Sequence, residues 1–268
     1  MTGPGAPTHV RLETRGAVAT VTLDGPSSRN ALSRPTTLAL LEAMQRVAAD
    51  EAIRAVLLTG ANDAFTAGAD LRELEAGDAE GAPLDLGDLV AEGLNPLVLA
   101  VATMPKPVVA AIPGAAAGAG MSLALACDLR LASRSAVFST AFAGIGLTAD
   151  AGLSWLLPRI VGQARATAML LLPERLPADR ALELGLVQAV LADDLLPTTA
   201  RELTERLAEG PTAAYAALKR SIASSATATL PEALAHEAEL QRAMGRTEDH
   251  RNAVQAFLRR ETPTFRGR

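Results

Sequence analysis

A chain of 268 residues with 49% apolar and 21% charged residues can bury one main domain with an extension. Aromatics at 3% and a net charge of −5 argue against base stacking and against a general attraction to nucleic acid. The lone Cys127 excludes an intramolecular disulfide and fits a reducing compartment, the cytoplasm, while His9, His236 and His250 offer no paired metal-ligand spacing.

In chain order, Met1 to Pro7 has neither a basic stretch nor an apolar run and reads as a loose tail, not a signal peptide. Val10 to Leu23 alternates like a hairpin with Gly16 at the turn, and Thr36 to Ala49 has helical periodicity after Pro35. A short apolar strand, Ala55 to Thr59, precedes the run Phe65-Thr66-Ala67-Gly68-Ala69-Asp70-Leu71. Asp70, with Glu73 three residues on, reads as a helix cap whose partner reaches back. Ala76 to Asp88, rich in Gly, Asp and Ala, reads as a loop or irregular helix of the kind that borders ligand sites. Proline and glycine interrupt the apolar stretch from Leu97 to Ala126, so it reads as alternating strand and helix with no membrane span. Within it, the strand Pro107 to Ile112 leads into Pro113-Gly114-Ala115-Ala116-Ala117-Gly118-Ala119-Gly120 and an apolar helix reaching Asp128. Short strands follow at Leu129 to Ala132 and Ala136 to Ser139, then mostly helix after Ala151, with a strand at Leu186 to Leu191. From Asp194 the chain reads as helices alone: Leu195 to Glu209, Ala213 to Ser224, Glu232 to Met244 and Glu248 to Arg260. No short repeat of fixed period is visible.

Two small-residue turns, each between an apolar strand and a helix, leave N–H groups that can converge on one developing oxyanion. The competing reading of each turn is close packing alone. Taken together, Phe65 to Leu71 and Gly114 to Asp128 resemble the crotonase superfamily, the enoyl-CoA hydratase/isomerase family. Met104-Pro105-Lys106-Pro107, Arg29-Asn30-Ala31-Leu32, Gly185-Leu186-Val187 and the segment from Asp249-His250-Arg251 to Phe257-Leu258 match as well. The resemblance runs from about Val10 to Arg268. It implies an α/β crotonase fold, with a repeated ββα spiral core over residues 1–193. Residues 194–268 would form a helical C-terminal region used in homotrimers, often paired into homohexamers.

The resemblance further implies an acyl-CoA substrate, with coenzyme A entering as part of the substrate and no separate cofactor. The thioester oxygen would sit between the backbone N–H groups of Ala67 and Ala119. Arg29 is the first candidate for a coenzyme A contact, with a solvated surface arginine as the alternative. The backbone of Ala69, Asp70 and Leu71 would hold the adenine, and Lys219, Phe257 and Arg260 could reach a neighbouring subunit's coenzyme A or simply pack their helices. Hydration in this family uses two glutamates flanking a water. Here Ser122 and Phe142 stand at those positions, placed among the substrate-binding residues, Ser122 with a plain small helix residue as its alternative, and neither can be a carboxylate base. Asp150, in an apolar setting before Gly152-Leu153-Ser154-Trp155, is the substitute base; its alternative is a helix N-cap. A single carboxylate suits isomerisation, since no water need be activated. The expected activity is therefore movement of a double bond, or opening of an epoxide, in a CoA thioester. The runners-up are an atypical hydratase and a noncatalytic acyl-CoA-binding protein. An aryl-CoA dehalogenase, with Asp150 as nucleophile, needs a mid-chain histidine, and none stands between His9 and His236.

Overall fold

The computed structural model describes residues 9–76 and 85–268. The tail at Met1 to Pro7 and most of the loop expected over Ala76 to Asp88 lie outside the described residues. The chain opens with the antiparallel hairpin β1 (Val10–Arg15) and β2 (Val18–Leu23), Val10 opposite Leu23 and Gly16 in the turn. Helix α1 (Arg34–Ala49) begins at Ser33, whose side chain accepts the Thr36 N–H, with Pro35 in the first turn. Leu40, Ala43, Met44 and Val47 share its buried face.

Three ββα units then follow, and each sends its first strand to one sheet and its second to another. The first is β3 (Ala55–Gly60), β4 (Ala64–Thr66) and α2 (Leu71–Ala76). After it, α3 (Leu86–Leu89), a π turn over Val90–Leu94 and α4 (Asn95–Ala102) run on without a break. The second unit is β5 (Val108–Ile112), β6 (Ala115–Ala117) and α5 (Ala119–Ala126). The third is β7 (Leu129–Ser133), β8 (Val137–Ser139) and α6 (Leu153–Val161). Helix α7 (Gln163–Leu171), the short β9 (Leu176–Pro177), α8 (Ala178–Glu183) and β10 (Ala189–Leu191) complete this part. The larger sheet has the order β1-β2-β3-β5-β7-β10, parallel from β2 onward; the smaller has the order β4-β6-β8-β9. This is the crotonase fold that the resemblance implies.

The parallel strands are buried on both faces, which is why β5 reads as an unbroken apolar run. Val108, Ala110 and Ile112 point into the main core with α1, α4 and α5. Val109 and Ala111 point the other way, with Leu57 and Leu131, onto Leu196 and Ala200 of α9 (Leu196–Glu209). The helical region expected from residue 194 therefore divides. Its first helix belongs to the core, and only α10 (Thr212–Ser225), α11 (Leu230–Met244) and α12 (Glu248–Arg259) form the extension. No helix among the described residues is long and apolar enough to cross a membrane.

Candidate active site

The first turn is held from below by Asn30, which is 1% exposed. Its Nδ2 donates to the carbonyls of Ala61 and Ala64, both at 2.8 Å, and at 3.3 Å to that of Phe65; its Oδ1 accepts the Gly25 N–H at 2.8 Å. Arg29 and Asn30 are both left-handed, with φ of 50° and 60°. That bend aims the Arg29 carbonyl at the turn, where it accepts the Ala67 N–H at 3.1 Å. Ala67, the donor expected from the sequence, is thus occupied within the fold, and that expectation is corrected.

One residue pair further on, the Leu32 N–H donates to Gly68 O (2.7 Å) and the Asp70 N–H donates to Leu32 O (3.4 Å). This is a parallel bridge between Leu32 and Ala69. In such a bridge the middle residue turns its own N–H away from the partner strand. The Ala69 N–H accordingly has no acceptor among the described residues. The free donor of the first turn is Ala69, not Ala67.

In the second turn, the Gly118 N–H donates to Ser139 O at 3.0 Å and Gly118 O accepts the Ser122 N–H at 3.1 Å. Ala119 opens α5, so its N–H has no partner in the helix, and no acceptor is found among the described residues. The two turns touch backbone to backbone. A Cβ on Gly68, where φ is +91°, would lie 2.6 Å from Ala117 O and 3.5 Å from Ala119 N; one on Gly120 would lie 2.6 Å from Thr66 O. Only glycine permits this approach. It brings Gly68-Ala69 alongside the free N–H of Ala119.

Asp150 lies in the loop leading to α6, half-buried. Its Oδ1 is buried without a hydrogen-bond partner, and burial pushes the carboxyl up to about 6. The helix-cap alternative does not hold: α6 is capped at Gly152, φ +79°, with no side-chain bond. The main chain of Asp150 is what the fold holds. Its carbonyl accepts the Leu153 N–H at 2.9 Å and the Ser122 hydroxyl at 3.2 Å. Ser122 is fully buried with its Oγ between Gly118 O and Asp150 O, so it does not face an acyl group, a second correction. The buried Phe142 ring stands 3.7 Å from where a Gly118 Cβ would be and walls off the second turn.

Asp70 does cap α2: its Oδ1 accepts the Arg72 N–H at 3.1 Å, and the Arg72 guanidinium beside it holds the carboxyl below the usual range. Glu73, however, does not reach back. It accepts the Arg34 N–H at 2.7 Å instead, joining α2 to α1. Beside this turn, Leu32, Thr37, Leu38, Ala69, Asp70 and Leu94 are among the residues lining a cavity of about 180 Å³. Leu71 and Arg29 are exposed at the surface. Cys127 is buried and its thiol pushed up to about 12, so it stays protonated and inert. Lys219 is paired with Asp128 at 2.7 Å, and Phe257 is exposed. Sequence reasoning missed Asn30 as the peg beneath the first turn; its only local signal was the Arg29-Asn30-Ala31-Leu32 match.

A crotonase fold with two free N–H groups side by side, and a lone carboxylate on the adjoining loop, defines the class of the acyl-CoA-processing proteins. The sequence profile described as enoyl-CoA hydratase/isomerase matches residues 13–268, and the chain belongs to that family. It is 42% identical over 251 residues to the 1,2-epoxyphenylacetyl-CoA isomerase of Escherichia coli K12, covering 94% of this chain and 95% of that protein. It is 43% identical over 259 residues to a Rhodobacter capsulatus protein named "Probable enoyl-CoA hydratase", covering 97% and 98%. Among solved structures, an enoyl-CoA hydratase from Polaromonas sp. JS666 superposes with a TM-score of 0.88 at 33% identity, covering 96% of this chain and 99% of that one.

Proposed function

We propose that this chain isomerises an unsaturated or epoxidised acyl-CoA, with Asp150 as the single acid/base. The Ala69 and Ala119 N–H groups would receive the thioester oxygen. The observation carrying this reading is the Asp150 carboxyl itself: Oδ1 buried, unpartnered and raised to about 6, with Ser122 and Phe142 where hydration would need carboxylates. For a double-bond shift, Asp150 takes a proton from the carbon beside the thioester carbonyl. The electrons move onto the thioester oxygen, where two N–H donors stabilise the enolate. The same proton then returns two carbons further along the acyl chain, so the mass is unchanged. A base with its pKa near 6 is mostly ionised at neutral pH yet strong enough to take the proton. Oxyanion donors of this kind are worth about 2.7–4 kcal/mol each in other enzymes.

The acyl-CoA is held at the first turn, by the backbone of Ala69 to Leu71 and the Arg29 side chain. Homotrimers or homohexamers are supported by the apolar residues that α10 to α12 leave uncovered, and a cytoplasmic setting by the lone reduced cysteine. The hydratase reading keeps its place as the alternative because one relative of equal similarity is named a hydratase. Separate incubations with a 3-enoyl-CoA and a 2-enoyl-CoA, followed by mass and chromatography, decide between them. Conversion of the 3-enoyl form without mass change supports the isomerase. Gain of water by the 2-enoyl form overturns it, and no conversion of either or of an epoxidised acyl-CoA, with binding kept, points to a noncatalytic acyl-CoA-binding protein.

A further inference from the structure

We propose that Ser122 is a positioning residue for the reaction: its buried hydroxyl ties the main chain of the Asp150 loop to the first turn of α5, so that base and oxyanion donor move as one unit. This rests on the reading of Asp150 as the base. Ser122 stands one helical turn into α5, fully buried, and its Oγ lies 3.2 Å from Asp150 O and 3.4 Å from Gly118 O. A serine inside a helix commonly turns its hydroxyl back to the carbonyl four residues before, here Gly118. The shorter contact goes elsewhere, to a loop distant in sequence. Gly118 immediately precedes Ala119, whose N–H is a free donor. The single hydroxyl proton, given to the nearer Asp150 O, therefore ties the peptide carrying the base to the helix that opens with the oxyanion donor.

The loop needs such a tie. Ala151 and Gly152, directly after Asp150, both have positive φ, 49° and 79°. A non-glycine residue in that region carries a cost and persists only when its surroundings hold it there. Among the described residues the Asp150 Oδ1 has no hydrogen-bond partner that would locate the carboxylate from its other end, so its position follows from its backbone. Fold stability, by contrast, depends little on the hydroxyl. Without it, Asp150 O still accepts the Leu153 N–H and Gly118 O still accepts the Ser122 N–H, so no buried carbonyl is orphaned. Alanine is also the better helix former.

Among the described residues, the elements packed against the loop leave Asp150 electrically alone. Helices α4 and α5 carry no ionisable side chain, and neither does the turn at Phe142–Ile145. Helix α6 contributes only Arg159, whose guanidinium lies 3.8 Å from the Trp155 ring centroid. Any movement of the loop that admits water therefore reads out directly as a lower pKa of the base.

The test compares wild type with S122A and D150N on a 3-enoyl-CoA, over a pH series of about 5 to 8, with thermal unfolding of each. Expected for S122A are a kcat lowered roughly tenfold, a KM within about twofold, and an acid limb of kcat/KM displaced to lower pH, with Tm lowered by no more than about 4 °C. A wild-type kcat and pH profile in S122A, with D150N inactive, overturns the positioning role and leaves the base in place. A loss of activity in S122A that merely follows a fall in Tm makes Ser122 structural and also overturns it. Full activity in D150N removes the base, and the positioning role with it.

Discussion

Asp150 sets function against stability within one side chain. Its folded pKa, about 6, lies above the ordinary value of 3.8 because burial penalises the charged form. The folded protein therefore binds a proton more tightly than the unfolded chain between about pH 4 and 6, and stability falls as pH rises through that window. Asp150→Asn removes the charge and so gains stability above about pH 6 and nothing below about pH 4. With the carboxyl partly open to solvent, the gain is on the order of 1 kcal/mol. Thermal unfolding of both proteins at pH 7.5 and at pH 4 checks this: the Asp150→Asn variant should melt above the wild type only at the higher pH. Equal Tm values for the two proteins at both pH values would mean that burial does not strain the carboxylate. The same substitution should lower kcat by about 10²–10⁴, the usual range for losing a general base, while acyl-CoA binding persists. In the wild type, kcat/KM should fall as pH drops below about 6, where the base becomes protonated.

The elements that frame this carboxylate are two turns pressed together, and their register depends on parts distant in sequence. Asn30 makes the point. Replacing it with alanine strands carbonyls of the β3–β4 turn and should cost about 2–4 kcal/mol. Asn30→Asp should cost more, since it sets a carboxylate against carbonyl oxygens that now lie 2.8 Å from an amide nitrogen. Urea unfolding of the two variants ranks them. Gly68→Ala should cost roughly 1–3 kcal/mol from its positive φ alone, and the Ala117 carbonyl 2.6 Å from the new Cβ must move as well. That shift separates the two N–H donors, so kcat should fall by up to about 10²–10³ with folding retained. These dependences explain what could and could not be read from the chain. The small-residue turns and the apolar strands before them have local signatures, and Asp150 stood out as a carboxylate in mostly apolar surroundings. Which alanine of the first turn faces outward is decided by the bridge between Leu32 and Ala69, which no local pattern encodes. The four-stranded second sheet was equally hidden, because β6 is three alanines and reads as turn. The ββα repeat, which the resemblance implied, shows no fixed period in the sequence because its units begin at Ala55, Val108 and Leu129, unevenly spaced by the helical insert ending in α4.

Across the full chain, the helical extension is pegged to the core by the only two lysines and turns most of its apolar surface outward. Lys106 donates to Val47 O and Asp50 O at the end of α1, satisfying carbonyls that a helix terminus leaves open. Lys219 of α10 donates to Lys106 O and pairs with Asp128, which also accepts the Val108 N–H at the start of β5. Lys219→Met leaves Asp128 without its cation and should cost about 1–3 kcal/mol by urea unfolding, less than a fully buried pair because both side chains keep some solvent. Beyond that peg, Leu218, Ile222, Leu230, Leu234, Phe257 and Leu258 are exposed, the last two at 81% and 76%. A single chain gains nothing from holding so many large apolar side chains in water, and they are the side chains that the proposed homotrimer or homohexamer would cover. Covering each such side chain is worth about 1.5–3 kcal/mol. Helix α12 is built for it: its cap at Thr247 and its tie through Asp249 to the N–H groups of Arg266 and Gly267 stiffen the segment that carries Phe257 and Leu258. Charging that face with Phe257→Glu and Leu258→Glu together leaves the core untouched, since neither side chain enters it. The wild type should sediment as a trimer or hexamer and the double variant as smaller species, with the core's secondary structure intact by circular dichroism. A wild type that sediments as one chain at micromolar concentration overturns the assembly, and a double variant that assembles as before places the interface elsewhere.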